Sequence, residues 1–211
     1  MKTGRPLAAA ILTGGRATRM GGIRKATLRI GGRSIIDRQL DVLRGIAAPI
    51  FAVSSAAGES EGGLDIVRDQ FPDRGALGGI YTAIAASPHE RVLVVGCDMP
   101  FLSAPLLEYM NGIDADIVVP RTARGYEPLC AIYSRACAAA VRARIERGQL
   151  EASVMPEGVR VVEVGSETLA EYDAHGLLFV NVNTPHDYER ANTLLEGSNA
   201  LRDRIMDELG P

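Results

Sequence analysis

The sequence predicts a single α/β domain: a mostly parallel, doubly wound sheet with helices on both faces. Three observations carry that expectation. Short apolar runs of strand length recur along the chain, and helix-length segments lie between several of them. The runs are apolar at consecutive positions rather than alternating, as in Arg91-Val-Leu-Val-Val-Gly96, which is the pattern of strands buried on both sides. A length of 211 residues, 46% of them hydrophobic and 23% charged, suits one core and is too short for two large ones.

The first strand is expected at Leu7–Leu12, six apolar residues in succession, and a helix follows at Ser34–Gly45. Pro49–Ser54 and Leu64–Val67 read as the next two strands, with a helix at Gly78–Ser87 after the second. Arg91–Gly96 leads to a helix at Ala104–Met110, and the strands Asp116–Pro120 and Cys130–Tyr133 precede a helix at Ser134–Arg147. The stretch 148–172 is the least regular, although Arg160–Val164 within it has strand composition. Leu178–Val182 is the last expected strand, and Pro185–Leu195 is a helix opened by Thr184 as N-cap and Pro185 in its first turn. The domain is expected to occupy 1–195, with 196–211 a C-terminal extension that is helical or frayed.

Composition excludes several classes. No apolar run has the length of a membrane span, and the start lacks a long signal-type apolar region, so the expectation is a cytoplasmic chain without membrane partners. Cys97, Cys130 and Cys137 form no CxxC pair and have no histidine at metal spacing, so they read as reduced thiols. A net charge of −3, no Trp and 5% aromatics do not suit nucleic-acid binding. The charge is unevenly spread: residues 1–36 hold eight Lys or Arg and no acid. That basic corner is either a solvated face or a site for a small polyanion.

Open parallel sheets bind ligands at the carboxyl ends of their strands, so the loops after each run are where chemistry is sought. The first is Leu12-Thr-Gly-Gly-Arg-Ala-Thr-Arg-Met-Gly-Gly-Ile-Arg-Lys25, whose four glycines let backbone amides approach phosphate. It is neither GxGxxG nor GxxxxGK[ST]. The chain has only two lysines against 21 arginines, and Lys25 closes this loop, where a compact ammonium on a flexible stem can follow a moving phosphate. Asp69, at the third strand's end, precedes a Gly-rich turn and is either a ligand for base or ribose or a turn former. Asp98, in Gly96-Cys-Asp-Met-Pro100, places a hard oxygen ligand at the tip of a central strand, suited to Mg²⁺ beside a triphosphate; the competing role is turn and cap. Asn181 and Asn183 alternate with Val182, so a strand there points both amides to one side. His89, His175 and His186 share no spacing with a nucleophile or metal cluster, and no Ser-His-Asp or Cys-His set is apparent.

Together the string L-x-G-G-x-x-x-R-M-G-G-x-x-K, Asp69 with its Gly-rich sequel, Cys97-Asp-Met-Pro100 and Asn181-Val-Asn-Thr-Pro185 resemble the molybdenum cofactor guanylyltransferase family, known as MobA, over residues 7 to about 195. The resemblance implies a nucleotide-diphospho-sugar-transferase-like, Rossmann-type fold that uses Mg²⁺ to transfer GMP from GTP to the terminal phosphate of molybdopterin or molybdenum-molybdopterin. It also implies that Leu12, Thr13, Gly14 and Gly15 surround the guanine and phosphates, with Ser54 at a nucleotide-contacting position. Lys25 meets the phosphates, Asp69 lies on the guanosine side and Asp98 holds the metal. In the transfer, Lys25 and Arg19 would stabilise the departing pyrophosphate, with Asn181 and Asn183 on the acceptor side. Molybdoenzyme precursors and cofactor-assembly proteins are the implied protein partners. The chain departs from the family pattern at Arg24 (usually Asp), Ala76 (often Pro), Ser54 (often Asn) and Glu127, and the last two bear on base contacts and the acceptor pocket.

Three rival readings are weighed against this one. A cytidylyl or sugar-phosphate nucleotidyltransferase is disfavoured because related cytidylyl enzymes carry Leu-Ala-Ala-Gly where this chain has Leu12-Thr-Gly-Gly15. A dinucleotide-dependent oxidoreductase is disfavoured by the missing GxGxxG. A non-catalytic nucleotide-binding subunit would not need both Lys25 and Asp98.

Overall fold

Strand β1, Leu7–Leu12, is buried at all six positions, which requires a strand on either side and a layer on either face. The computed structural model, which describes residues 5–13, 25–55, 62–173 and 176–209, supplies both. After a small antiparallel pair, β2 (Arg29–Ile30) and β3 (Arg33–Ser34), come helix α1 (Ile35–Ile46), β4 (Ile50–Ser54), β5 (Asp65–Arg68), α2 (Gly75–Ala86), β6 (Arg91–Gly96) and α3 (Ala104–Gly112). The chain continues through β7 (Ile117–Thr122), β8 (Gly125–Tyr126), β9 (Cys130–Ser134), α4 (Ala138–Glu146), β10 (Val161–Val164), α5 (Ser166–Tyr172) and α6 (Pro185–Leu209).

The main sheet runs β10-β7-β9-β6-β1-β4-β5, with β8 paired to β7. Every pair among β6, β1, β4 and β5 is parallel, as is β10 with β7; β9 is antiparallel to both its neighbours. The expected doubly wound, mostly parallel sheet is therefore present. Alternate residues of β1 feed opposite cores: Leu7, Ala9 and Ile11 pack into a layer shared with α1 and α3, and Ala8, Ala10 and Leu12 into one shared with α2 and α4.

Local chemistry sets the helix starts. Ser34 caps α1 by accepting from the Asp37 amide at 3.2 Å, and Ser103 caps α3 with Pro105 in the first turn. Thr184 accepts from the Asp187 amide at 3.1 Å, while the Asp187 carboxylate accepts from the amides of Asn183 and Thr184, a reciprocal box that starts α6 as the sequence predicts. Helix α6 then runs to Leu209, across the expected boundary at 195/196. No helix among the described residues is long and apolar enough to cross a membrane.

One expected strand is absent. Among the described residues Leu178–Val182 pairs with no strand: it is an irregular segment whose Val182 amide donates to the Asp98 carbonyl at 2.8 Å. Its apolar side chains have a different use. Val182 is fully buried in a third cluster with Ile30, Ile35 and Ala191, so composition reported burial there rather than ladder pairing.

Two of the three free thiols lie deep in the sheet half that contains β9. Burial pushes the Cys130 thiol up to about 12 and Cys137 up to about 11, and it raises the Tyr133 phenol as well. Below the ordinary thiol range both folded and unfolded chains stay protonated, and these groups add no pH dependence. As pH rises past about 9 the unfolded chain sheds thiol protons that the folded chain keeps, so stability falls. The urea midpoint is expected to be flat from pH 7 to 8 and to decline between pH 9 and 11, by about 1.4 kcal/mol per pH unit per thiol. Paired Cys130→Ala and Cys137→Ala substitutions should flatten part of that decline, and an unchanged slope would contradict the assignment.

Candidate functional site

The parallel register aligns the ends of four strands. Leu12 is opposite Gly96 of β6 and Val53 of β4, and Ser54 is opposite Arg68 of β5. The loops carrying Asp98, Thr13, Ser54 and Asp69 therefore leave one edge of the sheet side by side. Three inter-strand steps, about 14 Å, separate the Asp98 loop from the Asp69 loop.

The structure describes some of the predicted residues, and Thr13, Ser54, Asp69 and Asp98 lie on that edge. Thr13 remains tied to the ladder, its amide donating to the Val53 carbonyl at 3.0 Å and its hydroxyl lying 3.3 Å from the same oxygen. Leu12 is buried, and its carbonyl accepts from the Cys97 amide at 3.2 Å, which joins the first loop to the Asp98 loop. Gly14, Gly15, Arg19 and the departure at Arg24 lie outside the described residues. So does the side chain of Lys25, whose backbone opens a short 3₁₀ turn, Lys25–Thr27. The next residue, Ala26, is buried in the same core layer as Met99, which anchors the end of the glycine loop near the Asp98 side of the sheet. Ser54 closes β4 half-buried, its carbonyl accepting from the Asp69 amide at 2.8 Å.

Asp69 is part of a network. Its Oδ1 accepts from the Thr82 hydroxyl at 2.8 Å and the Phe71 amide at 3.0 Å, while Thr82 accepts from the Gln70 amide. One carboxylate oxygen thus shapes the turn into α2, the turn-forming role that the sequence left open for this residue. Asp98, half-buried, has its Oδ1 lying over Gly96: a Cβ built on Gly96 would stand 2.8 Å from it. Glycine at the strand end is what lets the carboxylate fold back there.

The segment that carries Asn181 and Asn183 lies against the Asp98 loop, although it forms no strand. The Val182-to-Asp98 bond seats the segment against the Asp98 loop, and the buried Asn181 Oδ1 has no hydrogen-bond partner among the described residues. A buried amide oxygen without a partner is costly in isolation and marks a place for a donor. From the other side, Arg124 Nη2 donates to the Phe179 carbonyl at 2.9 Å and to Glu127 Oε1 at 3.1 Å, and Glu127 also accepts from Thr122. Glu127 therefore holds the β7–β8 hairpin and, through Arg124, the asparagine segment, a role its local sequence does not signal.

A second residue escaped the sequence reading. Gln39, in the middle of α1, is fully buried and donates to the Gly96 carbonyl at 2.7 Å and the Met99 carbonyl at 2.9 Å, the two carbonyls that bracket Cys97-Asp98. The available signal was a polar residue on the buried stripe Ile35, Ile36, Gln39, Leu40, Leu43. The basic corner, by contrast, is partly spent on the surface: Arg5 pairs with Asp114 and Arg33 with Asp41.

Comparison with known proteins gives consistent matches. The MobA-like NTP transferase domain matches residues 9–161. A molybdenum cofactor guanylyltransferase of Desulfosudis oleivorans is 30% identical over 190 residues, 88% of this chain and 94% of its own length. A probable molybdenum cofactor guanylyltransferase of Pelotomaculum thermopropionicum is 34% identical over 197 residues, 91% and 95% of the two chains. The crystal structure of molybdopterin-guanine dinucleotide biosynthesis protein A from Archaeoglobus fulgidus superposes with a TM-score of 0.74 at 24% identity, covering 90% of this chain and 99% of that one.

The turn after Asp69 offers a test of local packing. A Cβ on Gly78 would stand 2.5 Å from the Phe71 carbonyl oxygen, whereas one on Gly45, in the last turn of α1, would meet nothing within 4 Å. Gly78→Ala is expected to destabilise by roughly 1–3 kcal/mol. Gly45→Ala should stabilise by about 0.5–1 kcal/mol. Chemical denaturation of both variants checks the pair, and equal stabilities would mean that the turn is not close-packed.

Proposed function

The chain belongs to the MobA-like NTP transferase family, and from that premise we propose that it transfers GMP from GTP to the terminal phosphate of molybdopterin, or of its molybdenum-loaded form. The products are molybdopterin guanine dinucleotide and pyrophosphate. The observation that carries the reading is the alignment of the Asp98, Thr13, Ser54 and Asp69 loops on one sheet edge, with the asparagine segment seated against Asp98.

In this reading Leu12, Thr13, Gly14 and Gly15 offer backbone to the guanine and phosphates, Ser54 and Asp69 border the guanosine, and Asn181 and Asn183 border the acceptor. Lys25 and Arg19 lie against the phosphates. The acceptor phosphate oxygen attacks the α-phosphorus in line, the bond to the β-phosphate bridging oxygen breaks, and the electron pair leaves with pyrophosphate. No covalent nucleophile on the protein is needed, so positioning and charge neutralisation are what the chain supplies. Lys25 and Arg19 offset the charge that builds on the departing pyrophosphate.

The family generally uses a divalent metal. Among the described residues no three His, Cys, Asp or Glu converge, so the fit rests on Asp98 alone. One hard carboxylate at a strand end, completed by phosphate oxygens and water, is a donor set that Mg²⁺ accepts, and we assign Mg²⁺ to it. When bound, the ion supplies Lewis-acid neutralisation of phosphate charge. The three free thiols agree with a reducing, cytoplasmic setting. Cofactor-assembly proteins and molybdoenzyme precursors are the partners that such a product implies.

The deciding experiment incubates the protein with molybdopterin, Mg²⁺ and each nucleoside triphosphate in turn. Pyrophosphate and a dinucleotide product are expected with GTP at rates at least ten times those with CTP, UTP or ATP. Equal rates would remove the guanylyl assignment. A second prediction concerns Asp98→Asn, with the melting temperature followed in the free and the ligand-loaded protein. The upward shift that Mg²⁺ and GTP give the natural protein should disappear in the variant. An equal shift in both would make Asp98 a turn residue only.

A further inference from the structure

Gln39 occupies a position where stability alone favours an apolar side chain. It is completely buried on the inward stripe of α1 between Ile35, Ile36, Leu40 and Leu43. Its amide nitrogen is fully used, by the carbonyls of Gly96 and Met99, yet its Oε1 is buried with no hydrogen-bond partner among the described residues. An amide half-satisfied in an apolar layer costs free energy that Leu or Met would avoid. The cost is offset only by what the two donated bonds hold.

They hold the loop that carries Asp98. The Gly96 carbonyl also accepts from the Met99 amide at 3.3 Å, so Gln39 closes a turn whose two ends flank Cys97 and Asp98. On its other side the Asp98 carbonyl is fixed by the Val182 amide. The backbone is thus pinned from α1 and from the asparagine segment on either side of Asp98, whose carboxylate lies over Gly96. We propose that Gln39 is a positioning residue for the Asp98 carboxylate, acting through the Gly96 and Met99 carbonyls to set metal affinity at the transfer site. This rests on the nucleotidyl-transfer reading above, and α1 becomes part of the active-site support although none of its side chains is assigned to substrate.

The test uses Gln39→Met, which keeps length and volume but cannot donate. Mn²⁺ binding is followed by electron paramagnetic resonance in the presence of GTP, and GTP binding is measured separately by calorimetry in EDTA. The expected result is an apparent Mn²⁺ affinity weakened at least tenfold, with metal-free GTP affinity within twofold of the natural protein. A purely structural role would move both or neither. Should Gln39→Met fail to fold, the side-chain amide resonances of Gln39 in the natural protein decide: a shift on adding Mg²⁺ and GTP supports the inference, and unmoved resonances overturn it. Unchanged Mn²⁺ affinity in a folded Gln39→Met protein overturns the inference while leaving the transfer reading intact. Absence of GTP-dependent Mn²⁺ binding in the natural protein overturns that reading, and the inference with it.

Discussion

The parallel pairing of β1 with both β4 and β6 is the constraint on which the rest of the structure depends. Because β1 is buried on two faces and paired on two edges, its register is fixed by packing on every side. A one-residue slip would exchange Leu7, Ala9 and Ile11 with Ala8, Ala10 and Leu12 and place the wrong volumes in both cores. The same register brings Leu12, Gly96 and Val53 level, so core packing determines where the loops emerge. The chemistry at the sheet edge is thereby positioned by residues that never touch it.

The loops themselves are held by polar contacts that differ in kind. Asp69 is shaped locally, by Thr82 and the Phe71 amide within thirteen residues of sequence. Asp98 is shaped from a distance, by Gln39 fifty-seven residues before Gly96 and by Val182 from the last segment before α6. A local turn forms with its own sequence, whereas a clamp from distant elements forms only when the whole domain closes. The Asp98 loop is consequently the part of this edge most tightly linked to global folding.

That distinction also explains what was legible in the sequence. The strands of the parallel half were readable because burial on both faces leaves consecutive apolar residues, and the start of α6 because Thr184, Pro185 and Asp187 act within one turn. That the loops carrying Thr13, Ser54, Asp69 and Asp98 share one edge was readable because a parallel sheet sends every such loop there. Leu178–Val182 misled because an apolar run reports burial, and its Val182 amide bonds to a loop carbonyl rather than to a neighbouring strand. Gln39 and Arg124 were missed because their partners, Gly96, Met99 and Phe179, are main-chain carbonyls, which carry no signature in sequence.

The two halves of the sheet hold their loops in different ways. The half from β6 to β5 is wholly parallel, and its loops converge as a consequence of topology. On the other side β9 runs antiparallel, so it delivers no carboxyl-end loop to this edge. The irregular segment 178–183 lies there, tied to Asp98 by Val182 and to the β7–β8 hairpin by Arg124, whose charge is met by Glu127. The parallel half of the edge is thus fixed by the core, and the irregular segment by a few polar ties that can be changed without disturbing the sheet. If the proposed transfer places the acceptor against that segment, variation at Glu127 acts on the acceptor first, through Arg124 and the Phe179 carbonyl, and leaves the register of the parallel strands untouched.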